Sequence, residues 1–211
     1  MRTKVKICGI TCEGDVSILN RCLPDYAGFV FADSRRRVTA DIAKKLADSL
    51  NPLVKKAGVF VNMEIERLCE IVNTASLDVV QLHGDEDRDF IDRLRCCIDN
   101  RIQVWKAVKP DNNISISGLP DYRADLYLAD TYVKGRHGGT GICFDWKLLM
   151  GFDNRSSIIL AGGLTPVNVT EAITIVRPYG VDVSSGVETD GKKDANLVEK
   201  FITSVRNMEE V

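Results

Sequence analysis

Short apolar runs rich in β-branched residues recur about every 20 to 30 residues, and they limit the folds open to this chain. The eight runs span residues 5–10, 27–31, 57–61, 79–83, 104–108, 126–130, 158–161 and 181–184. Most are continuously hydrophobic rather than alternating, which is typical of strands buried on both faces of a parallel sheet. Helical periodicity fills most of the gaps, so the pattern predicts alternating strands and helices.

Eight strand–helix units favour a closed (β/α)8 TIM barrel over an open, doubly wound sheet. A doubly wound sheet of this size would more often have fewer strands and a single glycine-rich turn, whereas here glycines follow several late strands. There is no linker or low-complexity stretch in the sequence. We therefore expect residues 1–211 to form one α/β domain with eight parallel strands.

Several finer features also follow from local patterns. Ile42, Leu46 and Leu50 are predicted to form one buried helical face. Asp85 and Thr165 are predicted N-caps, the latter because Pro166 follows it at a favourable first helical position. Cysteines away from the candidate site are expected to be small buried residues, namely Cys12, Cys69, Cys96, Cys97 and Cys143.

Composition argues against several classes of partner. The net charge is −2 and the densest basic cluster is Arg35-Arg36-Arg37, so we expect no nucleic-acid partner. The sequence has no 18-residue apolar run and no signal-peptide pattern, so we expect no membrane association. The seven scattered cysteines indicate reduced thiols and a cytoplasmic location. No histidine lies near the paired cysteines, which argues against a metal site.

Two chemically active side chains end predicted strands. Cys8 closes the first strand and is followed at once by a glycine, so we expect its thiol to point out of the fold. Asp130 closes the sixth strand. The carboxyl ends of barrel strands meet on one face, where a thiol and a carboxyl group can serve as a base and an acid.

Three glycine-rich loops predict a phosphate site on the same face. In (β/α)8 barrels the loops after strands seven and eight often bind phosphate through backbone N–H groups. The candidate ligands are Gly139, Gly162, Gly163, Ser184, Ser185 and Gly186. A dinucleotide-binding glycine fingerprint after the first strand is absent, which argues against a nicotinamide or flavin cofactor.

The motifs of these strand ends occur together in one family. They are Lys6-Ile7-Cys8-Gly9-Ile10-Thr11, Gln81-Leu82-His83-Gly84-Asp85-Glu86, Asp130-Thr131 with Gly138-Gly139-Thr140-Gly141, Leu160-Ala161-Gly162-Gly163-Leu164, and Val181-Asp182-Val183-Ser184-Ser185-Gly186-Val187-Glu188. This set resembles the phosphoribosylanthranilate isomerases of tryptophan biosynthesis over residues 4–205. The resemblance implies an enzyme that needs no cofactor or metal and that occurs as a monomer or a homodimer.

The resemblance also implies roles for particular residues. It makes Cys8 the general base and Asp130 the general acid in an Amadori rearrangement of N-(5-phosphoribosyl)anthranilate. Arg36 takes the position of the arginine that holds the anthranilate carboxylate. Arg35 stands where the family usually has proline, so a neighbouring arginine could compete for this anion. His83 either faces the substrate or is a hydrogen-bonded structural histidine.

These roles place demands on the two titrating groups. The site should either lower the pKa of Cys8 or operate with a small thiolate fraction. Burial or the charge of the substrate should raise the pKa of Asp130. Two alternatives stay open at this point: another phosphate-binding barrel, such as a phosphopentose epimerase or an indole-glycerol-phosphate synthase, and a catalytically silent barrel that only binds a sugar phosphate.

Overall fold

Eight parallel strands close into a barrel in the order in which they occur along the chain. The computed structural model describes residues 2–108, 121–130, 146–149 and 157–208. The strands are β1 (Lys4–Cys8), β2 (Tyr26–Val30), β3 (Lys55–Phe60), β4 (Val79–Leu82), β5 (Gln103–Val108), β6 (Leu126–Asp130), β7 (Ile158–Ala161) and β8 (Gly180–Val183). Each of the eight predicted runs contains the greater part of one strand, so the predicted barrel is confirmed.

Helices follow most of these strands. They are α1 (Glu13–Cys22), α2 (Ala40–Asp48), α3 (Ile65–Thr74), α4 (Arg88–Arg95), α5 (Val169–Val176) and α6 (Ala195–Asn207). Short 3₁₀ turns occupy Trp146–Leu149 and Ser185–Val187. A two-stranded ribbon, β9 (Glu188–Thr189) and β10 (Lys192–Lys193), lies between β8 and α6. None of the helices in the described parts of the chain has the length and hydrophobicity needed to cross a membrane.

The apolar core has two layers because each strand has an inner and an outer face. The outer layer joins the barrel to the helices, and Val5 and Ile7 of β1 belong to it. The inner layer fills the barrel with Tyr26, Ala57, Val79, Trp105, Leu126, Leu128, Ile159 and Ala161. Since Val5 and Ile7 face outward, Lys6 and Cys8 face the interior.

Several local predictions were wrong. Asp87, not Asp85, caps α4 by accepting a hydrogen bond from the backbone N–H of Phe90 at 2.8 Å. Helix α5 begins only at Val169, after a turn that starts at Thr165. Ile42 is 46% exposed, because the buried face of α2 is formed by Ala43, Leu46 and Ala47.

The cysteines are also more exposed than predicted. Cys12, Cys96 and Cys97 are exposed, and Cys69 is half-buried. Cys12 directly precedes α1, and Cys96 and Cys97 directly follow α4, where side chains leave the helix–barrel interface. Cys143 lies outside the described residues. Every cysteine in the described ranges is a free thiol.

Candidate active site

The Cys8 thiol lies inside the mouth of the barrel. Cys8 is the last residue of β1 and is buried, so the expectation that it points out of the fold was wrong. Alternation along β1 explains this, because Cys8 shares the inward face with Lys6. Gly28 on β2 lies opposite Cys8 in the strand register. A Cβ atom at Gly28 would come within 2.9 Å of the Cys8 Sγ atom, so glycine leaves the space that the thiol occupies.

A buried ion pair lies beside this thiol. The Lys6 ammonium donates a hydrogen bond to Oδ2 of Asp182 at 2.8 Å, and both side chains are buried. Asp182 is the register partner of Lys6 on β8, so closure of the barrel brings the two together. Burial alone would lower the pKa of Lys6, but Asp182 and Cys8 outweigh that effect and the pKa is raised. Lys6 therefore remains an ammonium group in the barrel interior.

Burial dominates the titration of Cys8. It raises the pKa of the thiol, and the nearby Lys6 ammonium lowers it only in part, so the pKa lies above its ordinary value. Of the two options that the sequence left open, a lowered pKa is therefore wrong for the substrate-free protein. The site holds Cys8 mainly as a thiol, with a small thiolate fraction at neutral pH.

Asp130 is bound to a short chain of polar groups. It ends β6, and its Oδ2 atom is 3.2 Å from Nε2 of His83, which follows β4. The side-chain amide of Gln81 donates to Nδ1 of His83 at 2.9 Å. Because Nδ1 accepts that bond, the neutral imidazole carries its proton on Nε2 and donates it to Asp130. His83 thus contacts the candidate acid directly.

An open cavity of about 510 Å³ adjoins the Asp130–His83 pair. Its lining includes Val61, Lys106, Val108 and Tyr122. The Lys106 ammonium at this position is held by Glu86, at 3.0 Å, and by the carbonyl of Gly84, at 2.6 Å. The cavity is large enough for a small organic molecule, and its mainly polar lining combines a few apolar side chains with a cation and the candidate acid.

Arg36 lies above the Cys8 end of the barrel and is held by Glu188. Its Nε and Nη2 atoms donate to the two carboxylate oxygens of Glu188 at 2.7 and 2.8 Å. Lys193 on β10 donates to the same carboxylate at 2.8 Å, and Arg35 does so at 2.7 Å. Burial would raise the pKa of Glu188, but Arg36 and Lys193 hold it at about 2. Three cations thus share one internal carboxylate.

Gly9 lets the Arg36 side chain lie close to Cys8. Gly9 has a φ of +85°, in the left-handed region, and a Cβ atom there would collide with Cδ of Arg36. The next nearest atoms to that position are Arg36 Nε and Ser184 Oγ, both at 3.2 Å. Gly9 therefore allows the end of β1 to pack closely against Arg36 and Ser184.

The two described phosphate-loop candidates contact each other. Gly162 and Gly163 follow β7 and have φ values of +88° and +67°. Ser184, Ser185 and Gly186 follow β8, and Gly186 lies so close to the carbonyl oxygen of Leu164 that a Cβ atom would not fit. The Ser184 hydroxyl donates to the carbonyl of Cys8 at 3.0 Å, so it braces β1. The predicted ligand Gly139 lies outside the described residues.

Sequence reasoning missed Lys6, Glu188 and Lys193 as members of this site. A signal existed for Lys6, because a charged residue two positions before Cys8 in a strand shares its face. Glu188 had no local signal, since its partners Arg35 and Arg36 are more than 150 residues away in the sequence. Lys193 had none either, because its contact with Glu188 depends on the folding of the β9–β10 ribbon. Within the described ranges, no cluster of three or more histidine, cysteine or acidic side chains could hold a metal ion.

The fold and site together define a class of protein. A thiol, a carboxyl–imidazole pair and an arginine lie at the carboxyl ends of the strands, where (β/α)8 barrels carry their active sites. These groups can move protons and bind an anion. The chain is therefore a (β/α)8-barrel protein that carries groups suited to proton transfer and anion binding at the carboxyl ends of its strands.

Comparisons with known proteins make the assignment specific. The family model described as N-(5'phosphoribosyl)anthranilate (PRA) isomerase matches residues 5–204. An N-(5'-phosphoribosyl)anthranilate isomerase of Acetivibrio thermocellus is 46% identical over 209 residues, covering 97% of this chain and 96% of that protein. The chain belongs to the phosphoribosylanthranilate isomerase family of tryptophan biosynthesis.

Solved structures agree with this membership. The phosphoribosyl anthranilate isomerase of Thermotoga maritima superposes with a TM-score of 0.86 at 38% identity, covering 97% of this chain and 99% of that one. A phosphoribosyl anthranilate isomerase in complex with reduced 1-(O-carboxyphenylamino)-1-deoxyribulose 5-phosphate gives a TM-score of 0.83 at 36% identity, with the same coverage.

Proposed function

We propose that this enzyme converts N-(5-phosphoribosyl)anthranilate into 1-(2-carboxyphenylamino)-1-deoxyribulose 5-phosphate by an Amadori rearrangement. Asp130 is the general acid and Cys8 the general base. The observation that carries the proposal is the arrangement of the strand ends: β1 delivers a thiol and β6 a carboxyl group to one barrel mouth. That a relative binds the reduced aminoketose supports the choice of substrate.

The first step opens the sugar ring. Protonated Asp130 donates its proton to the ring oxygen, the C1′–O bond breaks, and the anthranilate nitrogen lone pair forms a C1′=N iminium. Asp130 leaves this step as a carboxylate. His83 then stabilises the new charge, because its Nε2–H group lies 3.2 Å from Oδ2 of Asp130.

The second step moves the proton that defines the isomerisation. The Cys8 thiolate takes the proton from C2′, and the released electron pair forms the C1′=C2′ bond while the iminium becomes an amine. The resulting enolamine then tautomerises to the ketone: C1′ takes up a proton while the C2′ hydroxyl releases one. Proton exchange with solvent returns Cys8 to the thiolate and Asp130 to the protonated acid. Because the iminium makes the C2′ proton acidic, a thiolate is a strong enough base.

Arg36 and the glycine loops bind the two ends of the substrate. Arg36 donates to the anthranilate carboxylate from the guanidinium that Glu188 orients. The phosphate is bound at the loops of Gly162-Gly163 and Ser184-Ser185-Gly186, where the first N–H groups of the Ser185–Val187 turn have no partner within that turn. Gly139 is the remaining proposed phosphate ligand.

The experiment that tests this function follows the anthranilate fluorescence of freshly prepared substrate. We expect the wild-type enzyme to accelerate its decay far above the spontaneous rate. Asp130→Asn should lose two to four decades of kcat, about the contribution of a general acid. The matched control is Asp89→Asn, because Asp89 is an exposed carboxylate in the first turn of α4 and does not line this cavity; it should turn over like the wild type. No turnover by the wild type would contradict the proposal, and phosphopentose epimerisation and sugar-phosphate binding would then be measured.

A further inference from the structure

We propose that Lys6 is a positioning residue for the isomerisation: its buried ammonium group increases the thiolate fraction of Cys8, and Asp182 holds that ammonium group in place. The inference rests on the proposed function in one respect, the use of Cys8 as the base. Lys6 would be the group that favours the thiolate of a thiol buried away from water.

Geometry places the ammonium beside the thiol. Lys6 and Cys8 are two residues apart on β1 and share its inward face. Both side chains pass over the same point on β2, because a Cβ atom at Gly28 would lie 2.9 Å from Cys8 Sγ and 3.1 Å from Lys6 Cε. The Lys6 side chain is only 1% exposed, so water does not screen its charge.

Asp182 fixes the Lys6 ammonium in the barrel interior. Its Oδ2 atom accepts the hydrogen bond from Lys6 at 2.8 Å. Its Oδ1 atom is buried and has no hydrogen-bond partner within the described residues. The hydrogen bond to Lys6 is therefore the contact that holds the Asp182 carboxylate in the site. The negative charge of Asp182 also disfavours the Cys8 thiolate.

Within the described ranges, four charged groups interact with Cys8 from the elements packed around it. Lys6 on β1 and Lys193 on β10 favour the thiolate, and Asp182 on β8 disfavours it. Arg36, from the loop after β2, also interacts electrostatically with the thiol. Lys6 has the largest effect of the charged groups and opposes the burial that raises the pKa of the thiol.

The two members of the ion pair should therefore act in opposite directions. Removal of the ammonium leaves burial and Asp182 opposed only by smaller effects such as that of Lys193, and the thiolate fraction falls. Removal of the Asp182 charge leaves the ammonium facing the thiol alone, and the thiolate fraction rises. A purely structural ion pair would not produce shifts of opposite sign, because loss of either partner would perturb the surroundings of Cys8 in the same way.

The test measures the pH dependence of Cys8 alkylation by iodoacetamide in the full-length enzyme. Mass spectrometry separates Cys8 from Cys12, an exposed thiol four residues away that serves as the internal reference. The variants are Lys6→Met, Asp182→Asn and the double variant. The double variant keeps the barrel free of an unpaired buried charge and so remains informative if Lys6→Met does not fold.

We expect Lys6→Met and the double variant to move the Cys8 midpoint upward and to slow alkylation at neutral pH by about tenfold or more, since each pKa unit changes the thiolate fraction tenfold. Asp182→Asn should move the midpoint downward. Equal midpoints in the wild type and the double variant, or shifts of one sign in Lys6→Met and Asp182→Asn, would overturn the inference. A separate measurement tests whether Cys8 is the base at all: if it is not, Cys8→Ser should turn over as fast as the wild type.

Discussion

Arg36 and Glu188 form a two-point ion pair, with Nε to Oε1 at 2.7 Å and Nη2 to Oε2 at 2.8 Å. This contact joins the loop after β2 to the ribbon after β8, which are separated by about 150 residues of sequence. The planar guanidinium is thereby fixed before substrate arrives. Binding then requires little ordering of this side chain, which favours affinity.

Arg36→Lys should therefore weaken substrate binding more than it slows chemistry. A lysine ammonium cannot hold two oxygens of Glu188 and also present a flat donor edge to the substrate carboxylate. We expect KM to rise about 10- to 100-fold, as for loss of a charged hydrogen bond, with a smaller change in kcat. Arg35→Lys is the control, because Arg35 contacts the same carboxylate but its side chain is 61% exposed. Equal effects of the two substitutions would contradict this role of Arg36.

Glu188→Gln should change the pH dependence of stability. The pKa of Glu188 is held at about 2 in the folded protein, below its ordinary value of 4.5. The ionised carboxylate therefore contributes stability that is fully present above about pH 5 and is lost as the pH falls towards about 2. In urea unfolding, the stability difference between wild type and Glu188→Gln should be largest at neutral pH and shrink towards pH 3.

The control for that series is Glu66→Gln, at an exposed position in α3. Its effect on the free energy of unfolding should stay within about 0.5 kcal/mol, as for most surface substitutions. A difference between wild type and Glu188→Gln that is the same at pH 7 and pH 3 would show that the ion pairs of Glu188 contribute no stability.

Gly9→Ala should damage the enzyme through Arg36. An alanine would be strained at a φ of +85° and its Cβ would collide with the Arg36 side chain. We expect kcat/KM to fall at least about tenfold as the guanidinium is displaced, together with about 1–2 kcal/mol of lost stability from the left-handed backbone. Steady-state kinetics and urea unfolding measure the two effects.

The matched control for this substitution is Gly14→Ala. A Cβ atom at Gly14, within α1, would meet only the Cys12 Sγ atom at 3.6 Å, an ordinary contact. Alanine should stabilise this helix by about 0.5–1 kcal/mol and leave turnover unchanged. A Gly9→Ala enzyme with wild-type kinetics would show that Arg36 does not depend on this glycine.

His83→Ala should act mainly on kcat. The imidazole holds Asp130 at 3.2 Å and is itself oriented by Gln81. Loss of a hydrogen bond to a charged group should cost roughly tenfold or more in kcat, with little effect on KM. Gln81→Met keeps the imidazole and should have a smaller effect. A wild-type kcat in His83→Ala would exclude His83 from the proton-transfer step.

Much of the barrel could be predicted because strand positions depend on local apolar runs. The ends of β6 and β7 match the predicted runs, and Cys8, Asp130 and the glycine loops all lie near strand ends as expected. The N-cap residue of α4 was harder to predict from the sequence. Asp85 and Asp87 are chemically alike, and only the folded loop, in which the Asp85 backbone N–H donates to Asn62, leaves Asp87 to cap the helix.

The orientation and charge of Cys8 could not be predicted from local pattern. Residues 4–7 alternate between lysine and an apolar residue, but this alternation alone does not tell which face of β1 points into the barrel, where Lys6 and Cys8 lie. Pairing of Lys6 with Asp182 requires closure of β1 on β8, a contact across 176 residues. The raised pKa of Cys8 is a consequence of that burial, which no nearest-neighbour pattern reveals.

The most direct test of the central claim compares the turnover of Cys8→Ser with that of Cys12→Ser, using the decay of substrate fluorescence. Both changes replace one sulfur by oxygen in the same segment, but only Cys8 lies in the barrel mouth. The account predicts that Cys8→Ser loses about 10²- to 10⁴-fold in kcat, as expected for removal of a general base, while Cys12→Ser turns over like the wild type. A Cys8→Ser enzyme with wild-type kcat would contradict the account.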